Sequence, residues 1–185
     1  MQHNHTLTAI IAAAGLVSLS ACNSDADVAE DGTQEVRSDT LAALLEDADN
    51  LSVISGILGN AGLQAIFDGT ASYTIFAPTD DAFAELDLPM DGEEAGAARV
   101  AIVREHIVPG YLSRADIEAA IGQSGGSVEM QTMGSNTLTF SNEGENLVVT
   151  SSDGSKAIVT GDVISGANGS LFPVDTVLKS MGDPQ

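Results

Sequence analysis

Apolar residues repeat at helical spacing over residues 41–121 and at a spacing of two after Gly126. A period of 3.6 residues buries one stripe of a helix, whereas a period of two buries one face of a strand. The change of period predicts an α+β fold. N-terminal helices would pack on antiparallel strands formed mainly by the C-terminal half.

Leu41, Leu44, Leu45 and Ala48 form one helical stripe behind the candidate caps Ser38 and Asp39. Leu51, Ile54, Leu58 and Ala61 form a second behind Asn50. Gly56 and Gly59 each weaken this second helix by up to about 1 kcal/mol relative to alanine, which close packing would explain, and Gly62 and Gly69 read as stops. A further helix from about Ala95 to His106 turns Val100 and Val103 inward until Pro109 prevents its continuation. In SRADIEAAIG, Ser113 caps, Asp116 completes a capping box, Ile117 and Ile121 share a face, and Gly122 closes the helix.

The runs SVEMQTM, NTLTFS, NLVVTSS and SKAIVTGDVI are short and β-rich, and they predict an antiparallel meander. Asp153-Gly154 and Asn168-Gly169 are tight-turn signals, because these residue types tolerate positive backbone angles. Pro173 points to an edge position for the last strand.

One strand interrupts the helical half. In YTIFAPTDDAF both alternating faces of YTIFAP are apolar or small, so this strand is expected to be buried on two sides. Pro78 ends it, Thr79 caps a new helix, and Phe83 can pack back on Pro78 as a staple. Asp80 and Asp81 then fall in the first helical turn, where the helix dipole favours them by about 0.3 to 1 kcal/mol each. Adjacent carboxylates on a helix point in different directions, so they read as a helix start rather than a catalytic pair.

The 185 residues carry a net charge of -21, with six Lys or Arg against 27 Asp or Glu, and no Trp. Such a chain lacks the basic face and the stacking platform that nucleic acid requires. Residues 38–182 are long enough to bury about 70% of their unfolded surface as one domain, leaving 183–185 as a tail. No G-x-S-x-G, Walker loop, GxGxxG or zinc spacing occurs. Asp91 to Glu94 lack the alternating oxygens of an EF-hand and read as a solvated loop. No cofactor or metal is expected.

Residues 1–21 contain no Asp, Glu, Lys or Arg, and Leu7 to Ala21 form an apolar run too short to span a bilayer but suited to a signal peptide. LSAC, Leu19 to Cys22, resembles the lipobox of bacterial lipoproteins, although MQHNHT before it has no Lys or Arg. The resemblance implies that Cys22 becomes a lipidated N-terminus and attaches the protein to a membrane. With Asn23 following, it implies the outer membrane of a bacterial envelope, facing the periplasm or the cell surface. The alternative for Cys22 is a buried structural cysteine. Residues 22–37 are acidic and aperiodic and read as a tether.

YTIFAPTDDAF resembles the first signature block of the fasciclin-like FAS1 domain. HIVPGYL, His106 to Leu112, resembles its central block, and NGSLFPVDTVL, Asn168 to Leu178, its second signature block. Within them Phe76, Pro78, Thr79, Asp80, Phe83, Pro109, Gly110, Gly169 and Asp175 read as structural positions. Two residues depart from the family pattern: Glu105 stands where a Tyr is common, and Phe172 replaces a common His. In animal adhesion members an Asp-Ile dipeptide before the last block is tied to receptor binding, and Asp162-Val163 sits at the matching place. Asp162 is thus either a contact residue or the cap of its own turn. His106, the only histidine expected in the mature chain, holds the VPG turn, contacts a ligand or senses pH.

The resemblance implies a FAS1-like α+β fold, N-terminal helices packed on a twisted antiparallel β wedge or sandwich formed mainly by the C-terminal half, and an adhesion-type envelope module that binds a protein or glycan and catalyses nothing. The alternative is a carrier of an apolar small molecule such as a carotenoid, bordered by the apolar helices.

Overall fold

The computed structural model describes residues 37–86 and 93–178. The signal peptide, Cys22, the tether up to residue 36, Asp91 and the tail lie outside those residues. The chain forms helices α1 (Leu41–Asp47), α2 (Ser52–Asn60) and α3 (Gln64–Phe67), then strand β1 (Tyr73–Pro78). Helices α4 (Asp80–Ala84) and α5 (Glu93–Arg104), strand β2 (Ile107–Pro109) and helix α6 (Arg114–Gln123) follow. The second half supplies β3 (Ser127–Gln131), β4 (Thr137–Glu143), β5 (Asn146–Ser151), β6 (Lys156–Ile158), β7 (Ile164–Gly166) and β8 (Gly169–Val174). The mixed α+β class with its N-terminal helices is the one expected.

The strands make two four-stranded sheets, ordered β2-β1-β8-β7 and β3-β4-β5-β6. The second is the expected antiparallel meander. The first is a wall between two cores, and the side-chain alternation of its strands shows this directly. Ile75, Ala77, Ile107 and Leu171 enter the core beneath α1, α2 and α5. Their neighbours Phe76, Val108, Phe172 and Val174 enter the core shared with the meander and α6. Phe76 joins the two sheets, its ring centroid 4.8 Å from that of Phe140 and 5.0 Å from that of Phe172. The two-sided apolar character of YTIFAP follows from this position.

Several local expectations are corrected by tertiary contacts. SKAIVTGDVI is not one strand: β6 belongs to the meander and β7 to the other sheet, with Val159 bridging to Val174 between them. Pro173 is not on an edge strand, since β8 lies between β1 and β7 and pairs in parallel with β1, Ala77 opposite Pro173. The proline is tolerated there because the Pro173 carbonyl, and with it the nitrogen, faces the Thr160 side, beyond the last β7 pair at Ile164 and Leu171. The hairpin turn between β7 and β8 is Ala167-Asn168 rather than Asn168-Gly169. Gly169 is instead a strand residue, and a Cβ there would overlap the Tyr73 carbonyl and the Leu41 side chain.

Helix ends differ similarly. Thr40, not Ser38 or Asp39, caps α1, and α2 has no side-chain cap from Leu51, Asn50 having given way to a distant residue described below. Helix α6 carries the expected Ser113–Asp116 capping box but runs through Gly122 to Gln123. Helix α5 begins at Glu93, so Glu93 and Glu94 belong to a helix rather than a loop, and it ends at Arg104, before His106. Thr79 caps α4 with Asp80 and Asp81 in its first turn, as expected.

Candidate functional site

Each of the three motif blocks sends a ring into the interior: Phe76, His106 and Phe172. His106 is 0% exposed. Its Nε2 accepts the backbone N–H of Leu178 at 2.9 Å, so Nδ1 carries the proton and donates to the Ile102 carbonyl at 2.8 Å. The imidazole thus ties the end of α5 to the segment after β8. It does not hold the VPG turn, where Gly110 donates to Ser72 O and the Thr74 hydroxyl donates to Gly110 O. Burial lowers the His106 pKa to about 4, against smaller opposing effects of the Ile102 carbonyl and the Glu105 charge. A neutral, enclosed imidazole with both nitrogens engaged offers nothing to an external ligand.

Glu105 is 7% exposed, although it follows the last turn of a helix. Its carboxylate accepts the Thr132 hydroxyl at 2.7 Å and the N–H groups of Ser135 and Asn136 at 2.9 and 3.1 Å. It organises the turn between β3 and β4, and Gly134 in that turn has no room for a side chain beside it. Phe172, the second departure, fills the core against Phe76. Asn168 is also structural: Oδ1 accepts the Leu41 N–H at 2.8 Å, and Nδ2 donates to the carbonyls of Phe67 and Gly69 at 2.6 and 3.0 Å.

Asp162 and Val163 part company. Asp162 is exposed in the connection between β6 and β7, while Val163, 8% exposed, is buried in the meander core. The dipeptide therefore fixes a carboxylate on the surface by anchoring its neighbour. Asp175 ties down the adjoining chain, Oδ1 accepting the Ile158 N–H at 2.8 Å.

Two concave surfaces stand out. An acidic cleft of about 580 Å³ includes Asp49, Asp80, Asp81, Glu85 and Asp175, but no group of three or more His, Cys, Asp or Glu among the described residues is arranged to hold a metal ion. An apolar groove of about 410 Å³ lies between α2 and α5, lined by Val53, Gly56, Ile57, Gly96, Arg99 and Val100 among others. Close packing does not account for Gly56, since nothing lies within 4 Å of a Cβ built on it, and Gly59 would make only ordinary contact with Gln64.

A family model for the fasciclin domain matches residues 36–180. The chain belongs to the fasciclin domain family. A FAS1 domain pair from the insect cell adhesion molecule Fasciclin I shares the fold, with a TM-score of 0.64 and 19% sequence identity over 78% of this chain and 52% of that one. This chain therefore spans about half the length of the insect pair. No curated protein matches the sequence. The fasciclin domain places the apolar residues of its recognisable words in the core, while Asp162, the α2–α5 groove and the acidic cleft beside Asp80 and Asp175 stay accessible. Sequence reasoning missed Asn168 and Glu105 as network centres. The only signal for them was a polar residue of each type beside an apolar run.

Proposed function

We propose that this fasciclin domain is a non-catalytic, adhesion-type interaction module of a bacterial envelope, held to the outer membrane by lipid on Cys22, with the acidic segment that follows serving as a tether. Its partner is a protein or glycan taken up on the outer surface, with the exposed Asp162 as the contact nominated by family likeness. The observation that carries this reading is the burial of the ring-bearing centre of each motif block. Phe76, His106 and Phe172 are all 0% exposed, so the signature positions support a scaffold whose recognition lies elsewhere.

Membrane fractions of wild type and Cys22→Ser test the anchor, and an unchanged membrane fraction would count against it. Capture of envelope proteins and glycans on residues 38–185, with Asp162→Ala as comparison, tests the surface. Equal capture at lowered stability would leave Asp162 a turn residue. Turnover of a substrate, abolished by changing one interior acid in an intact fold, would overturn the non-catalytic reading.

The α2–α5 groove supports a second reading, in which the domain carries an apolar small molecule. Its volume falls within the range of small-molecule sites, roughly 300 to 1,000 Å³, and small molecules extracted from the purified protein would test it.

A further inference from the structure

We infer that the groove between α2 and α5 binds a single-chain amphiphile with an anionic head group, its tail over Gly56 and Gly96 and its head on Arg99. This deepens the carrier reading and rests on it.

The glycines are the first argument. Gly56 and Gly96 lie inside helices, where glycine is unfavourable, and neither has a positive φ that would require it. Among the described residues, a Cβ on either would meet nothing within 4 Å. Backbone conformation and packing both permit a side chain at these positions, and the consequence of its absence is the open floor of the groove.

The walls and the charge then define the occupant. Val53, Ile57 and Val100 give apolar walls, and the lining runs from Val53 along α2 to Ala61 at its C-terminal cap, about 12 Å at the helical rise per residue. This suits a saturated chain of medium length. Arg99 is the one cation among the described residues that line the groove, in a chain with six Lys or Arg and a net charge of -21. An anion is repelled by the acidic surface generally and attracted at this point, so Arg99 sets the polarity of the bound molecule. Arg99 has an interaction of its own within the chain, and a guanidinium with five donors can serve a second acceptor such as a carboxylate.

The test is calorimetric titration of the purified protein with dodecanoate and, separately, with uncharged dodecanol, both below their aggregation limits. One dodecanoate per chain should bind, more tightly than dodecanol. Gly56→Leu should weaken both ligands by about tenfold or more, and Arg99→Gln should weaken dodecanoate alone. Gly56→Ala, which adds one methyl and favours the helix, should weaken binding while the Tm holds or rises, which separates blocking from misfolding. Binding of dodecanol as tight as that of dodecanoate, or indifference to Arg99→Gln, would overturn the inference and leave the carrier reading standing. Binding of neither would remove both. Sedimentation showing a dimer that Gly56→Leu dissolves would assign the groove to a second copy of the chain and likewise overturn the proposal.

Discussion

The Asp80 carboxylate in the first turn of α4 accepts the backbone N–H of Val53 in the first turn of α2, at 2.9 Å, and the Ser52 hydroxyl at 2.8 Å. In return the Asp80 N–H donates to the Asn50 carbonyl at 2.9 Å. A residue in the first turn of one helix therefore caps, with its side chain, another helix 27 residues earlier. Asp81 is exposed in the same turn.

The two aspartates should consequently separate on mutation. Asp80→Ala removes a cap and should cost about 1 to 2 kcal/mol, while Asp81→Ala loses only a dipole interaction and should cost less than about 0.5 kcal/mol. Urea denaturation of the two single variants checks this. Equal losses would show that the cap across to α2 contributes nothing.

Acid should destabilise the domain through His106. The folded pKa is about 4 and the ordinary value 6.5, so between these values the unfolded chain binds a proton that the folded chain refuses. Stability is then fully present above pH 6.5 and declines as pH falls toward 4, by about 3 kcal/mol for this shift. Burial of the imidazole is the cause, and the geometry acts in the same direction, because protonated Nε2 would face the Leu178 N–H donor to donor. Unfolding of wild type and His106→Gln at pH 7 and pH 4.5 isolates the effect from the carboxylates. The variant should start lower and lose less, and parallel declines would refute the assignment.

What was legible in the chain was local chemistry. Thr79 as a cap, the Ser113–Asp116 box and the two-faced YTIFAP all express interactions within a few residues, which spacing reveals. The parallel pairing of β1 with β8 joins Tyr73 to Gly169, and no short-range pattern encodes it. Pro173 was misplaced for the same reason: its tolerance depends on where β7 ends. Asn168 carries a turn signal of the ordinary kind, and its side-chain role depends on α1 and α3 arriving beside it. Of the groove, only Gly56 was legible, as an unfavourable helical glycine, and close packing, the reason expected for it, is not what surrounds it.

Asn168→Ala should be among the costliest polar substitutions in the fold. It frees the Leu41 N–H and the carbonyls of Phe67 and Gly69 at a position only 6% exposed. Leaving buried partners unsatisfied costs about 1 to 3 kcal/mol per group, so a total near 3 kcal/mol is expected once partial rehydration is allowed. Asn168→Asp keeps the acceptor for Leu41 but loses both donated bonds, and should also destabilise the domain. Chemical denaturation ranks them, and a loss under about 0.5 kcal/mol for the alanine variant would contradict the network.

Glu105 and Gly134 should be energetically coupled. The carboxylate of Glu105 gathers Thr132, Ser135 and Asn136, and hydrogen bonds to a charged group contribute about 1.5 to 3 kcal/mol each before mutual compensation. Glu105→Ala should therefore cost a few kcal/mol, on the order of 2 to 4, by loosening the β3–β4 turn. Gly134→Ala should also destabilise, because a methyl there overlaps that carboxylate, while the turn does not hold Gly134 at a positive φ. With the carboxylate removed, the methyl has room. The double variant should be more stable than the sum of the two losses predicts, by about 1 kcal/mol or more, the range found for residues in contact. A double-mutant cycle from urea unfolding measures this directly. Additive losses would mean that Gly134 is needed for the backbone alone and that Glu105 does not shape the turn around it.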